Sequence, residues 1–333
     1  IPIKAEGLDA LSGQRSAYCL MIDFGWAALG PPQRFPVLFF RPETTNRMET
    51  TVEKNERPDG RQTADRANLL ERIGLFVLDM DGTFYLGDQV IEGAIDFVRY
   101  VERQGRRVLF FTNNSSQSPR VYMDKLARMG CPITREQIMT SGDVTITYLK
   151  ENYEGKRVYL VGTDALTESF REEGICLWKE GDPRPDLVVI GFDTTLTYEK
   201  LRMACGFIRQ GALFLATHLD LNCPTEDGFI PDCGSFCAAI TASTGVEPKY
   251  LGKPFRETVD MVLVRTGVER ERVAFVGDRL YTDVATGVNH GAWGLLVLTG
   301  ETGLKDLETS QVQPDAVFES LGEMKELLEQ VLG

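Results

Sequence analysis

The sequence changes character at the apolar run Ile73-Gly-Leu-Phe-Val-Leu78, which is followed directly by Asp79-Met-Asp81-Gly-Thr83. An apolar run of this length beside turn-forming residues predicts a buried β-strand. At the end of a strand, residues two positions apart return to the same side of the chain, so the two carboxylates should face one space. Gly82 lets the backbone turn sharply and approach a ligand closely. We therefore expect a buried strand that delivers two carboxylates to its carboxyl end.

Downstream of this strand, apolar runs alternate with helical segments. A helix is predicted over Gly93–Gln104, a strand over Arg107–Thr112, and a final helix that opens with the capping box Ser320-x-x-Glu323. Further strands are predicted at Val158–Val161, Leu187–Ile190, Leu213–Ala216, Val273–Val276 and Leu295–Leu298. This alternation predicts an α/β fold, with a doubly wound parallel sheet covered by helices on both faces.

Polar residues follow three of the predicted strands. In a doubly wound sheet, ligands bind beyond the carboxyl ends of the strands, so these residues should lie along one edge. The candidates are Asp79, Asp81, Thr112, Asn113, Asp278 and Asp283. Carboxylates gathered at one edge repel each other unless a cation lies between them. A hard divalent cation suits their oxygen ligands, and Mg²⁺ is favoured when phosphate is also bound.

Lys253, in Leu251-Gly-Lys-Pro254, would add a positive charge to this edge. Pro254 is suited to open a helix, which places Lys253 near a helix N-terminus and therefore near an anion site. A metal, a lysine, a hydroxyl and backbone donors around one phosphoryl group form an electrostatic clamp. One carboxylate would be a competent nucleophile, and a second would protonate the leaving group and then activate water.

The ordered motifs D-M-D-G-T, strand-end Thr112, G-K-P and G-D-R-L-Y-T-D resemble the four motifs of the haloacid dehalogenase-like (HAD) hydrolases. The resemblance covers roughly residues 73–333. The long interval between Thr112 and Lys253 is similar to that of the NagD-like or para-nitrophenylphosphatase subfamily (subclass IIA), whose α/β cap is inserted between the second and third motifs. It implies a Rossmann-like core at 73–151 and 247–333, and a smaller α/β cap domain for substrate specificity at 152–246.

The same resemblance implies roles for individual residues. Asp79 would be the nucleophile and Asp81 the general acid/base, while Thr112, Asn113 and Lys253 would bind the phosphate. These residues together would make the protein a phosphatase that acts through an aspartyl-phosphate.

The implied cofactor is Mg²⁺. Its ligands would be the Asp79 carboxylate, the Asp81 main-chain carbonyl and Asp278. Asp283 would lie beside them and orient either the waters of the metal or Lys253.

In the cap, His218 and Asp220 are the candidate substrate-binding residues. They belong to Ala216-Thr-His218-Leu-Asp220, where relatives commonly have A-T-N-x-D, so His218 departs from the family pattern. A purely structural histidine is an equally open interpretation of His218.

The predicted substrates are small phosphorylated metabolites such as sugar phosphates, nucleotides and aryl phosphates. Two alternatives stay open: a phosphotransferase or mutase that uses the same intermediate, and a non-catalytic phospholigand-binding protein. A dinucleotide-dependent oxidoreductase is excluded because no G-x-G-x-x-G follows the first strand.

Composition excludes other classes of partner. The net charge of −13, from 36 basic and 49 acidic residues, argues against a groove for a nucleic acid polymer. No segment reaches the roughly 18 apolar residues of a membrane span. The seven cysteines form no C-x-x-C pair and no secretory signal opens the sequence, so we expect a cytoplasmic protein with reduced thiols. A homodimer is expected only by analogy with relatives.

Residues 1–72 form a region apart. They lack sustained periodicity and hold six of the 15 prolines, which predicts a poorly structured N-terminal extension. The alternative is a small docking element built around Phe24, Trp26, Phe39 and Phe40.

Overall fold

The computed structural model describes residues 60–225 and 228–332. The first part of the core comprises α1 (Gly60–Arg72), β1 (Leu75–Leu78), β2 (Tyr85–Leu86), β3 (Gln89–Val90), α2 (Ala94–Arg103), β4 (Arg107–Thr112), α3 (Pro119–Arg128), β5 (Ile138–Thr140) and α4 (Ser141–Asn152). The cap comprises β6 (Val158–Val161), α5 (Asp164–Glu172), β7 (Leu187–Ile190), α6 (Tyr198–Arg209), β8 (Leu213–Ala216), β9 (Asn222–Thr225), β10 (Gly228–Pro231), α7 (Cys233–Thr244) and β11 (Lys249–Tyr250). The chain returns to the core with α8 (Arg256–Thr266), β12 (Val273–Gly277), α9 (Ala285–Val288), β13 (Trp293–Val297), β14 (Ala316–Phe318) and α10 (Leu321–Leu332).

The core is a six-stranded sheet in the order β14-β13-β12-β1-β4-β5, and its strands pair in parallel. Residues of β1 alternate between two apolar clusters, because successive side chains of a strand point to opposite faces. Phe76 and Leu78 pack into the cluster that contains α2 and α10, whereas Leu75 and Val77 pack into the cluster that contains α4 and α8. The predicted doubly wound parallel sheet with covered faces is confirmed.

The end of the predicted N-terminal extension is ordered, which corrects the expectation for residues 60–72. Helix α1 packs against α10 through the buried residues Ala67 and Leu70. The Arg66 guanidinium donates to the Val317 carbonyl and to Glu323 Oε1, both at 2.8 Å. The apolar stripe of α1 is short and most residues around it are polar, so it does not stand out in the sequence. Residues 1–59, including the alternative docking element, lie outside the described residues.

The cap contains a four-stranded parallel sheet in the order β11-β8-β7-β6. The bounds of β6, β7 and β8 agree with the strands predicted from sequence. Strand β11 pairs with β8, although the sequence analysis assigned residues 247–250 to the core. The cap sheet therefore extends to Tyr250. The sequence did not reveal this, because a two-residue strand is too short to show a periodicity.

An antiparallel hairpin formed by β9 and β10 projects from the cap between β8 and α7. Within the described part of the chain, no helix has both the length and the apolar character needed to cross a membrane.

Candidate active site

The carboxyl ends of β1, β4 and β12, which are neighbours in the core sheet, open into a pocket beneath the cap. The parallel register places the strand-end motifs side by side, as the sequence analysis expected. Predicted residues that line this pocket are Asp79, Asp81, Thr112, Asn113, Asp220, Lys253 and Asp283. Asp278 lies next to Asp79 and Asp283 at the same edge.

Lys253 lies at the centre of this cluster. Its Nζ is 2.5 Å from Asp79 Oδ1 and 2.6 Å from Asp283 Oδ1, and its side chain is only 4% exposed. Burial opposes the charge of Lys253, but Asp283 and Asp79 outweigh that effect and raise the pKa of the ammonium. Lys253 therefore stays charged and holds the two carboxylates close together.

The cluster carries more carboxylates than Lys253 neutralises. One oxygen each of Asp79, Asp278 and Asp283 lies within 4.8 Å of the other two. Desolvation, together with Asp283 and Asp278, raises the pKa of Asp79 well above its ordinary value despite Lys253. Desolvation and Asp283 raise the pKa of Asp278 to about 6. Such shifts arise when more like charges share a buried space than the available counter-ion neutralises.

A divalent cation fits this arrangement. Asp278 Oδ1 is buried and has no hydrogen-bond partner among the residues that the structure describes, whereas Oδ2 accepts the Glu301 N–H at 2.6 Å. An unpaired buried carboxylate oxygen is costly unless it binds a cation. Gly82 permits this packing, because its φ is +83° and a Cβ there would lie 2.5 Å from Asp278 Oδ2.

Asp81 lies at the more open side of the pocket, with an exposed side chain. Partial desolvation by the pocket raises the pKa of its carboxyl, an effect that Lys125 and Arg279 oppose. A carboxyl with a raised pKa is better able to carry a proton near neutral pH, which is what a general acid requires.

The Asn113 side chain lines the pocket but binds protein groups, and the contact of phosphate with the amides that follow Thr112 stays a prediction. Its Oδ1 accepts the Lys253 N–H at 2.8 Å, and its Nδ2 donates to the Lys253 carbonyl and to Asp220 Oδ2, each at 3.1 Å. The two ends of one amide thus match the backbone donor and acceptor of Lys253. Thr112 does line the pocket, and its hydroxyl accepts the Asn114 N–H at 3.1 Å.

The structure places the two candidate cap residues differently. Asp220 lines the pocket, and its Oδ1 is buried without a hydrogen-bond partner among the described residues. His218 has no exposed surface and lies behind the pocket wall, where Nε2 is 2.9 Å from Asp232 Oδ1 and Nδ1 is 2.9 Å from Thr217 Oγ1. The expected contact of His218 with substrate is therefore corrected, because both ring nitrogens are already bonded to protein.

Comparison with known proteins identifies the family. A family model described as haloacid dehalogenase-like hydrolase matches residues 76–176, and a second, HAD-hydrolase-like model matches residues 250–324. The 5'-nucleotidase YutF of Bacillus subtilis is 36% identical over 248 residues, which cover 74% of this chain and 96% of that protein. The chain belongs to the HAD hydrolases. An acid sugar phosphatase of Staphylococcus aureus is also 36% identical, over 254 residues that cover 76% of this chain and 97% of that protein.

Solved HAD structures place the chain within the NagD-like branch. A 4-nitrophenylphosphatase from Thermotoga maritima is 45% identical, with a TM-score of 0.75 over 78% of this chain and 99% of that chain. NagD from E. coli K-12 is 29% identical, with a TM-score of 0.70 over 75% and 98% of the two chains. The protein is accordingly a HAD phosphatase.

The HAD pocket also contains residues that the sequence analysis did not select. Arg279 lines it beside Asp81, and its Nε is 2.9 Å from Glu301 Oε2. The sequence feature that could have identified Arg279 is its position inside the G-D-R-L-Y-T-D motif. Asp232 faces the pocket from the start of α7, where its Oδ1 accepts the Cys233 N–H at 2.6 Å. The sequence feature that could have identified Asp232 is its position as the N-cap residue of α7. No sequence feature could have identified Cys223 of β9, because only the folded hairpin brings it to the pocket.

Proposed function

We propose that the protein is a Mg²⁺-dependent phosphatase that hydrolyses small phosphorylated metabolites through an aspartyl-phosphate on Asp79. The single observation that carries this proposal is the buried cluster of Asp79, Asp278 and Asp283, in which Lys253 is paired with Asp79 and Asp283. A carboxylate nucleophile, a fixed ammonium and an unpaired carboxylate oxygen are the groups that phosphoryl transfer to an aspartate requires.

Asp79 acts as the nucleophile in this mechanism. A carboxylate oxygen of Asp79 forms a bond to phosphorus while the bond from phosphorus to the leaving oxygen breaks. Lys253 holds Asp79 in position and, with Thr112, binds the phosphoryl oxygens. Mg²⁺ bound by Asp79, Asp278 and the Asp81 carbonyl would neutralise the charge that these carboxylates and the phosphoryl group bring together.

Asp81 moves the protons. Its carboxyl gives a proton to the leaving oxygen in the first step and takes one from a water molecule in the second. The water oxygen then bonds to phosphorus, the bond between phosphorus and Asp79 breaks, and the nucleophile is regenerated. The raised pKa of Asp81 favours the protonated form with which this cycle begins.

The named relatives support a small phosphorylated substrate, since their names refer to a nucleotide, a sugar phosphate and a nitrophenyl phosphate. Asp220, Asp232 and Asn222 line the cap side of the pocket and would face the leaving group. The cytoplasmic location and the homodimer stay predictions.

The test is an assay of phosphate release by the full chain from para-nitrophenyl phosphate and a panel of sugar phosphates and nucleotides, with Mg²⁺ and with a chelator. We expect Mg²⁺-dependent release that is lost in Asp79→Asn. Group transfer to an added sugar instead of water would favour the phosphotransferase. Ligand binding without any turnover by folded protein would favour the phospholigand-binding protein.

A further inference from the structure

A buried polar network connects the cap to the core at the back of the pocket; we call it the joint network. His218, at the end of β8, is its central member. Nε2 of the ring is 2.9 Å from Asp232 Oδ1, while Nδ1 is 2.9 Å from Thr217 Oγ1 and 3.3 Å from Ser141 Oγ. Ser141 belongs to the core helix α4, so the ring contacts both domains.

On the Nδ1 side, the joint network reaches the loop that carries the phosphate-binding residues. Ser141 Oγ donates to the Asn113 carbonyl at 2.5 Å. Thr217 Oγ1 is 3.0 Å from Ser115 Oγ. The Ser115 oxygen also accepts the Phe192 N–H at 3.0 Å. Residues 113 and 115, which lie one and three positions after Thr112, are thus held through the hydroxyls around His218.

On the Nε2 side, the network reaches the cap wall of the pocket. Asp232 is buried, lines the pocket and also accepts the Cys233 N–H. Burial alone would lower the pKa of His218, but Cys233 and Asp232 outweigh burial and raise it to about 9. A raised pKa favours the imidazolium, the form in which both ring nitrogens donate.

We propose that His218 is a positioning residue whose two nitrogens control different halves of the pocket. Nδ1 fixes the phosphate-binding loop through Thr217 and Ser141. Nε2 fixes Asp232, and with it the cap wall that faces the leaving group. This inference rests on the proposed phosphatase function and adds to it a residue that acts through its neighbours without touching substrate.

Two amide substitutions separate these roles. The side-chain amide of Asn reaches about as far as Nδ1 of histidine, so His218→Asn keeps a donor toward the hydroxyls but loses the bond to Asp232. The longer Gln reaches about as far as Nε2, so His218→Gln keeps a donor toward Asp232 but loses the hydrogen bonds to the Thr217 and Ser141 hydroxyls. Each variant thus removes one half of the contacts and retains the other.

The experiment measures two constants in each variant of the full chain. The first is the inhibition constant of inorganic phosphate, which reports on the phosphate-binding loop. The second is the ratio of kcat/KM for glucose 6-phosphate to kcat/KM for para-nitrophenyl phosphate, which reports on the cap wall. We expect His218→Gln to raise the phosphate constant about tenfold and keep the ratio, and His218→Asn to change the ratio about tenfold and keep the phosphate constant.

Two further variants test the same division if His218 variants fail to fold. Ser141→Ala should behave like His218→Gln, and Asp232→Asn should behave like His218→Asn. Thr241→Ala, which removes a cap hydroxyl that donates to the Val246 carbonyl outside the network, is the matched control and should change neither constant.

The inference is overturned if the folded variants change both constants together or neither. A merely structural histidine would lower the amount of active enzyme without separating the two constants. Lack of phosphate release by the wild-type protein would contradict the proposed function itself, and this outcome is distinct from an active wild type with unaffected variants.

Discussion

Two buried polar clusters in this protein are built from similar groups but differ in their charge balance. At the edge of the core sheet, Asp79, Asp278 and Asp283 lie together, Lys253 pairs with Asp79 and Asp283, and an oxygen of Asp278 is left without a partner among the described residues. Arg279 beside them is already paired with Glu301.

In the joint network, the Asp232 carboxylate faces the His218 imidazolium, and both ring nitrogens have partners. A buried carboxylate oxygen without a partner indicates a ligand site, as for Asp278 and for Asp220, which lies within 4.8 Å of the ligand atoms of His218 and Asp232, whereas the bonded pair of His218 and Asp232 stabilises the fold. Neutralising a carboxylate of the acidic cluster should therefore raise the stability of the metal-free protein, whereas removing the His218 ring should lower it.

The largest effect is expected from Asp79→Asn. Loss of the nucleophile should lower kcat by about 10⁴-fold or more, since removal of a covalent nucleophile has effects of this order. Because burial raises the pKa of the Asp79 carboxyl, its neutralisation should leave the melting temperature unchanged or higher. Calorimetry and para-nitrophenol release check both points. A variant that keeps wild-type turnover would exclude Asp79 as the nucleophile.

Lys253→Met tests the lysine that the acidic cluster shares. Removing it leaves Asp79 and Asp283 buried without a counter-ion, so the free energy of unfolding should fall by about 3–5 kcal/mol. Urea unfolding in Mg²⁺-free buffer measures the change. Lys150→Met is the matched control, because Lys150 and Glu173 form an exposed ion pair for which we expect a loss below about 1 kcal/mol. Equal losses in both variants would contradict the role of Lys253.

Asp278→Asn should stabilise the metal-free protein at pH 8. Desolvation and Asp283 raise the pKa of Asp278 from 3.8 to about 6, so the wild type loses stability as the pH rises through this range. The variant avoids that loss, which amounts to at most about 3 kcal/mol. Added Mg²⁺ should raise the melting temperature of the wild type but not of the variant. The same Mg²⁺ shift in both proteins would remove Asp278 from the metal site.

His218→Gln should destabilise the protein in a pH-dependent manner. Although burial opposes it, the negative charge around the ring raises the pKa of His218 from 6.5 to about 9. The stability that this provides is complete below pH 6.5 and is lost as the pH rises through 9. The difference in unfolding free energy between wild type and variant should be larger at pH 6 than at pH 10, by at most about 3 kcal/mol. A difference independent of pH would show that the ring is neutral.

Sequence alone predicts much of the core edge. Asp79, Thr112 and Asp278 each follow an apolar run, and parallel strands align their carboxyl ends regardless of the loops between them. Lys253 could be assigned because its motif stands in a fixed order with the others.

The cap side could not be predicted in the same way. The role of His218 depends on Asp232 and Ser141, which are 14 and 77 residues away and approach it only in the folded protein. Sequence likewise does not show that the side-chain amide of Asn113 matches the backbone of Lys253.

The short connection from the cap sheet to Lys253 affects how this protein could be recombined with its relatives. Strand β11 ends at Tyr250, and the Leu251 and Gly252 N–H groups continue its pattern by donating to the carbonyls of residues 216 and 217 at 3.1 and 2.7 Å. A chimera joined at residue 246 would therefore divide one sheet between two parents. A junction beyond Lys253 keeps the sheet intact, and Lys253 is then inherited with the cap.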